Sequence, residues 1–158
     1  MRFSLVLFVL LAVLADGVQA GSKLYMSDCG DSSYLLHYQN CKATDFERGK
    51  PVVVESEKEL LKANITTGKV HLKCMRNSMT VFSHDFGYCG YQEAELPLWL
   101  GKIKYAGSDC SKPRPFEDSF RMSVTMPKIT PGGKYEFSLI GEGPKGEKLF
   151  CWSGYTNL

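Results

Sequence analysis

Six cysteines and three histidines are the residues of this 158-residue chain with the most obvious chemistry. Cys29, Cys41, Cys74, Cys89, Cys110 and Cys151 follow one another at intervals of 12, 33, 15, 21 and 41 positions. Zinc sites are built from close pairs such as C-x2-C, and no interval here is that short, so a metal is not expected. An even count in a small exported chain reads instead as three disulfides, with every pairing open at this level. Thiols committed in that way leave nucleophilic catalysis without a nucleophile, and no Ser sits in a G-x-S-x-G turn. His37, His71 and His84 each lie in a strand-like run, where an imidazole most often packs half-buried. His84-Asp85 is the one adjacent acid–base pair, but successive strand residues point to opposite faces and cannot easily bond each other. The sequence therefore predicts no catalytic residue, no cofactor and no enzyme.

The elements that position these residues read as strands. Ser33 to Gln39, Pro51 to Glu55, Lys69 to Met75, Thr80 to Phe86, Leu98 to Tyr105, Ser119 to Met126, Lys134 to Ile140 and Lys148 to Gly154 are short runs bounded by Gly, Pro, Asn or Asp. Two of them alternate cleanly. Phe120, Met122, Val124 and Met126 oppose Arg121, Ser123 and Thr125, while Tyr135, Phe137 and Leu139 oppose Glu136 and Ser138. Between these two runs, Thr130-Pro131-Gly132-Gly133 carries the residues of a type II turn and predicts a hairpin. Gly141 to Gly146 turns the chain into the last strand. Ser56-Glu57-Lys58-Glu59-Leu60-Leu61 has the form of a capping box and predicts a two-turn helix or an irregular crossover. The pattern is all-β: a two-sheet antiparallel sandwich or cup, with no βαβ rhythm.

Residues 1–20 read as a secretory signal, with Arg2, an apolar run from Leu5 to Leu14, and Val18 and Ala20 before Gly21. Ten apolar residues are too few to span a bilayer, which takes about 20. Residues 21–158 then form one exported domain. Arg2 and Asp16 leave with the signal, so the net charge stays at +2, too weak for a nucleic-acid binder. Asn64-Ile65-Thr66 is a sequon, an acceptor site at which Asn64 could carry a glycan.

The stretch Cys29-Gly-Asp-Ser-Ser-Tyr-Leu-Leu-His-Tyr-Gln-Asn-Cys41 resembles the first strand of the lipid-recognition family named after the myeloid differentiation co-receptors, the ML family. Pro115-Phe116, Met126 to Ile140 and Gly146-Glu-Lys-Leu-Phe-Cys151 resemble its closing hairpin and last cysteine-bearing strand, a region also similar to ganglioside activators. Cys29 to Cys41 and Lys104-Tyr105-Ala106-Gly107 look most like the co-receptors, particularly the lymphocyte-antigen member. The likeness covers about half of residues 21–158; from about Phe46 to Leu96 only the strand rhythm matches.

The resemblance implies an immunoglobulin-like β-cup whose sheets splay around an apolar cavity for acyl chains. It implies disulfides Cys41–Cys151 and Cys89–Cys110, the latter beside the mouth, and leaves Cys29 with Cys74. On this reading Phe82, Phe86, Trp99, Phe120, Met122, Val124, Met126, Tyr135, Phe137, Leu139 and Phe150 line the cavity. Plain core is the competing use of the same residues. Lys102, Lys104, Lys112, Arg114, Arg121 and Lys128, from a locally cationic segment, form a rim for anionic headgroups. The implied function is a secreted or lysosomal-lumen protein that binds a lipid or glycolipid. Two roles fit: a co-receptor subunit on a leucine-rich-repeat receptor of the Toll class, or a carrier that meets membranes transiently and presents lipid to an enzyme.

Overall fold

The structure is a computed structural model that describes residues 21–38, 40–57, 59–61, 65–97, 101–113 and 115–158. The signal at residues 1–20, the sequon at Asn64, Trp99 and Arg114 lie outside the described residues. Within them the chain forms twelve strands and no helix: β1 (Tyr25–Asp28), β2 (Lys42–Ala43), β3 (Pro51–Glu55), β4 (Glu59–Leu61), β5 (Lys69–Arg76), β6 (Met79–Gly87), β7 (Tyr91–Leu96), β8 (Gly101–Ala106), β9 (Phe116–Asp118), β10 (Arg121–Thr125), β11 (Lys134–Glu142) and β12 (Lys148–Asn157). One sheet runs β1-β12-β11-β5-β6 and the other β2-β3-β10-β8-β7, with β4-β9 as a separate ribbon. All these ladders are antiparallel.

Alternation decides which side chains enter the space between the sheets. Met122 and Val124 on β10 are buried while Arg121 is exposed, and Tyr135 and Leu139 on β11 are buried opposite Glu136 and Ser138. The alternating pairs of the sequence are therefore the facing layers of the core. Their connection is not a hairpin, however, because β10 pairs with β3 and β8 while β11 pairs with β5 and β12. The chain instead crosses from one sheet to the other. Thr130 closes a turn onto the Pro127 carbonyl with its amide (3.1 Å) and hydroxyl (2.6 Å), and Gly133, at φ 138°, exchanges backbone bonds with Leu158. The actual closing hairpin is β11–β12, turned at Gly143 to Gly146.

Two other expectations are corrected. No helix follows Ser56, whose hydroxyl accepts the Phe120 amide at 2.9 Å while its own amide donates to the Phe120 carbonyl. Tied sideways in this way, the segment continues into strand β4 beside β9. The run from Ser33 is not a regular strand through residue 38; only Leu35 and Leu36 donate to Lys148 and Leu149 across the edge of β12. Strand β7, with Glu93 and Glu95 exposed, lacked an apolar signature and was not expected.

The disulfides are Cys29–Cys151 and Cys89–Cys110, with Cys41 and Cys74 free. The implied Cys41–Cys151 pair is thus replaced, for a reason visible in the register. Asp28 faces Trp152 in the β1–β12 ladder, so the next residue, Cys29, comes opposite Cys151 and donates its amide to the Cys151 carbonyl at 3.0 Å. Cys41 leads into β2, which belongs to the other sheet. Cys74 points inward from β5, in register with Phe82 and Phe137, and cannot reach Cys29. Two thiols per chain should react with a thiol reagent in denaturant. Cys29→Ser should cost roughly 2–5 kcal/mol of stability by denaturant titration. Cys41→Ser should cost far less, and the reverse order would restore the Cys41–Cys151 pairing.

Candidate binding site between the sheets

The structure gathers the expected wall residues into one place. Phe82 and Phe86 from β6, Phe120, Met122, Val124 and Met126 in and around β10, Tyr135 and Leu139 from β11, and Phe150 from β12 are all buried, with Phe137 half-buried against them. Rings from opposite layers meet: Phe86 and Tyr105 at 5.3 Å between centroids, Phe120 and Phe150 at 6.0 Å. Tyr38, which no sequence pattern singled out, closes this end, with its ring 5.4 Å from Phe150 and 6.3 Å from Phe120. Tyr88 and Tyr105 complete the group, 1% exposed each.

Ladder bonds run within each sheet, and the backbones are tied across the gap at its margins, where Ser22 and Phe46 exchange two bonds (2.9 and 2.7 Å). On the other side Cys89 bridges to Ser108, beside the Cys89–Cys110 disulfide.

The expected rim does not converge on this gap. Lys102, Lys104 and Arg121 occupy outward positions of the second sheet, where the register sets each across from a carboxylate: Lys102–Glu95 at 3.1 Å, Lys104–Glu93 at 3.4 Å and Arg121–Glu55 at 3.6 Å. The cationic segment is neutralised by acids from neighbouring strands. A shallow depression of about 390 Å³ lies over this face, lined by Val53, Lys104 and Arg121 among others. Lys112 sits beyond Cys110, its ammonium 3.5 Å from Asp109 and 5.5 Å from the Phe116 ring centroid. Lys128, packed over Gly49, lies past the other end of β10.

The histidines also sort differently from the reading of three packing residues. His84 does pack, 4.5 Å from the Phe86 ring centroid. His37 is exposed and bonds Asp28 at 3.1 Å. His71 bridges three strands: Nδ1 lies 2.7 Å from Asp85 on β6 and Nε2 3.3 Å from Glu142 on β11. Asp85 thus meets a histidine across the ladder and not its sequence neighbour His84. The free thiols offer no nucleophile, since burial pushes both Cys41, with Glu55 adding to it, and Cys74 up to about 12. Among the described residues no group of three or more His, Cys, Asp and Glu side chains is arranged to hold a metal, and no helix is long and apolar enough to cross a membrane.

No protein-family model matches the chain, and no curated protein does. Among solved structures it is similar to chicken MD-1 complexed with lipid IVa, at 13% identity and a TM-score of 0.52, over 88% of this chain and 91% of that one. The likeness shows a shared fold: the immunoglobulin-like two-sheet sandwich is the architecture of this chain.

The hydrogen bond to Asp85, more than any other contact, holds the His71 imidazole above its usual value, against a smaller opposing effect of burial. A pKa raised by folding means that the bridge contributes stability fully below about 6.5 and loses it as pH rises through the folded value. Proton titration by NMR should show His71 titrating above the ordinary imidazole value of about 6.5, and Asp85→Asn should bring it down. An unshifted His71 would mean that the bridge does not form in solution.

Proposed function

We propose that this protein is a secreted member of the ML family that binds the acyl chains of a lipid or glycolipid between its two sheets, without catalysing a reaction. The observation that carries the reading is the interior itself: two apolar layers with no ladder bonds between them, in a fold shared with a protein solved in complex with lipid IVa. Each methylene moved from water into such a layer contributes about 0.8 kcal/mol, so one or two acyl chains suffice for tight binding without many polar contacts. Export is supported by the signal-like residues 1–20 and by two closed disulfides, which persist in oxidising compartments.

The preferred role is that of a lipid-binding subunit for a leucine-rich-repeat receptor of the Toll class, which rests on the resemblance of Cys29 to Cys41 and Lys104 to Gly107 to the co-receptors. A carrier that touches membranes is favoured by one feature, Ile129, which is 88% exposed at the crossover beside Lys128. Lys112, next to the Cys89–Cys110 edge, is the rim cation retained for a headgroup; Lys102, Lys104 and Arg121 face the wrong way.

Protein purified in its oxidised form should carry lipid detectable by mass spectrometry and bind a fluorescent acyl probe at micromolar concentration or below. Phe137→Glu introduces a charge at a half-buried wall position and should weaken the probe tenfold or more while both disulfides stay closed. Reversing Lys104 and Arg121 together should leave uptake of anionic lipid unchanged. Correctly bonded protein that neither carries lipid nor takes up the probe would end the proposal.

A further inference from the structure

The two ends of the sandwich differ in charge and in what they expose. Ile129, 88% exposed, and Met79, 66% exposed, are the most exposed large hydrophobic side chains among those described. They come from segments far apart in sequence, the β5–β6 turn and the β10–β11 crossover, which the fold ties together. Arg76 Nε and Nη2 donate to the Gly132 carbonyl at 2.9 and 2.6 Å, the Asn77 amide donates to the Lys134 carbonyl at 3.0 Å, and the Lys134 amide donates to Asn77 Oδ1 at 3.2 Å. Ile129 stands within the turn that Thr130 closes onto Pro127, with Pro131 following, so the backbone that carries it is held in place. Beside it, Lys128 packs over Gly49 in the loop that enters β3. Residues 47–50, 76–79 and 127–136 carry five cations (Arg48, Lys50, Arg76, Lys128, Lys134) against two acids (Glu47, Glu136), an excess of three in a chain whose whole net charge is +2. On the flank of the same end, Tyr25 and Tyr155 stack at 5.1 Å, with the Lys23 and Lys134 ammonium groups over their rings at 5.3 and 5.8 Å. Strand β6 leads from Met79 over nine residues, about 30 Å, towards the Cys89–Cys110 end. There the turns at residues 107–112 and 141–148 balance three cations against three acids.

Aliphatic tips set among cations, with tyrosines at their edge, are what a bilayer interface accepts: apolar side chains dip below the headgroups, amines meet anionic phosphates, and phenol rings lie at the boundary. We propose that this end, tipped by Ile129 and Met79, docks on the surface of an anionic lipid bilayer. The docking rests on the membrane contact read above from Ile129, and is separate from the uptake of acyl chains between the sheets. Each cation close to such a surface strengthens binding roughly fivefold. A protein is the less suited occupant, because lysine, which supplies Lys50, Lys128 and Lys134, is depleted at protein interfaces. The uneven charge also sets the orientation. The cationic end turns to the bilayer, and the Cys89–Cys110 end, with Lys112 beside it, faces solution while the protein is attached.

The test is flotation of the oxidised protein with vesicles of phosphatidylcholine alone and of phosphatidylcholine mixed with phosphatidylserine, with uptake of a fluorescent acyl probe measured in parallel. The native protein should bind the mixed vesicles at least about tenfold more tightly, and added salt should weaken that binding. Ile129→Glu should lower it about tenfold or more while the disulfides stay closed and the probe binds as before. Lys128→Glu, which removes a cation and adds an anion, should also lower it about tenfold or more. Lys145→Glu makes the same reversal in the β11–β12 turn at the other end and should change it by no more than about twofold. Equal binding to the two vesicles, or undiminished binding by Ile129→Glu, overturns the proposal. Absence of binding to either overturns it and leaves a protein as the occupant of this end. A Lys145→Glu loss as large as that of Lys128→Glu shows that overall charge is acting and not this end, and loss of probe uptake in Ile129→Glu places Ile129 at an entrance to the interior; each overturns it too. Native protein that docks on the mixed vesicles but takes up no probe removes the lipid-binding reading and leaves the docking standing.

Discussion

Side chains alone fill the space between the two sheets, and the arrangement of the rest follows from that. Each sheet satisfies its own backbone within its own ladders, so the layers attract each other only through apolar burial and ring contacts. Such attraction has no direction. What must then be fixed by other means is the margin. The Ser22–Phe46 bridge does this on one side, and on the other the Cys89–Ser108 bridge and the Cys89–Cys110 disulfide.

How far the sequence could be read depends on whether the signal is local. The inward faces of β10 and β11 were legible because alternation is a property of one strand, and their apolar residues are buried or half-buried in the core. Partnerships between strands were not legible. Arg121 reads as a free cation until the β3 register brings Glu55 across from it, and Lys102 and Lys104 are matched by acids on β7, a strand with no apolar pattern to announce it. The type II turn expected at 130–133 is not formed: the turn closes earlier, from the Thr130 amide onto the Pro127 carbonyl, and positive φ falls on Gly133 and not on Gly132; nor does turn chemistry state which sheet the next strand joins. Ser56 shows the same limit: its capping form is real, yet the amide it accepts is Phe120, 64 positions away. Tyr88 was missed because it lies just beyond the run that ends at Phe86, and Tyr38 because the run from Ser33 that contains it does not form a regular strand.

Polarity is placed with the same economy. Outward-facing charges pair across strands and nearly cancel, in keeping with a net charge of +2, and surface pairs of this kind contribute only about 0–1 kcal/mol each. They keep the outer faces wet without committing them to a partner. Inside, buried polar residues are few: Ser56, Ser108, Thr130 and Thr156 among the described residues.

The two thiols left over by the cross-links bear on how the oxidised protein persists. A free cysteine in a disulfide-containing chain is a standing invitation to reshuffling, because its thiolate can attack an existing bond. Burial holds Cys41 and Cys74 far above the ordinary thiol value, at about 12, so both thiols stay protonated near neutrality. The native connectivity is therefore guarded from within by the reluctance of its own spare sulfurs to ionise, for as long as the layers remain packed around them.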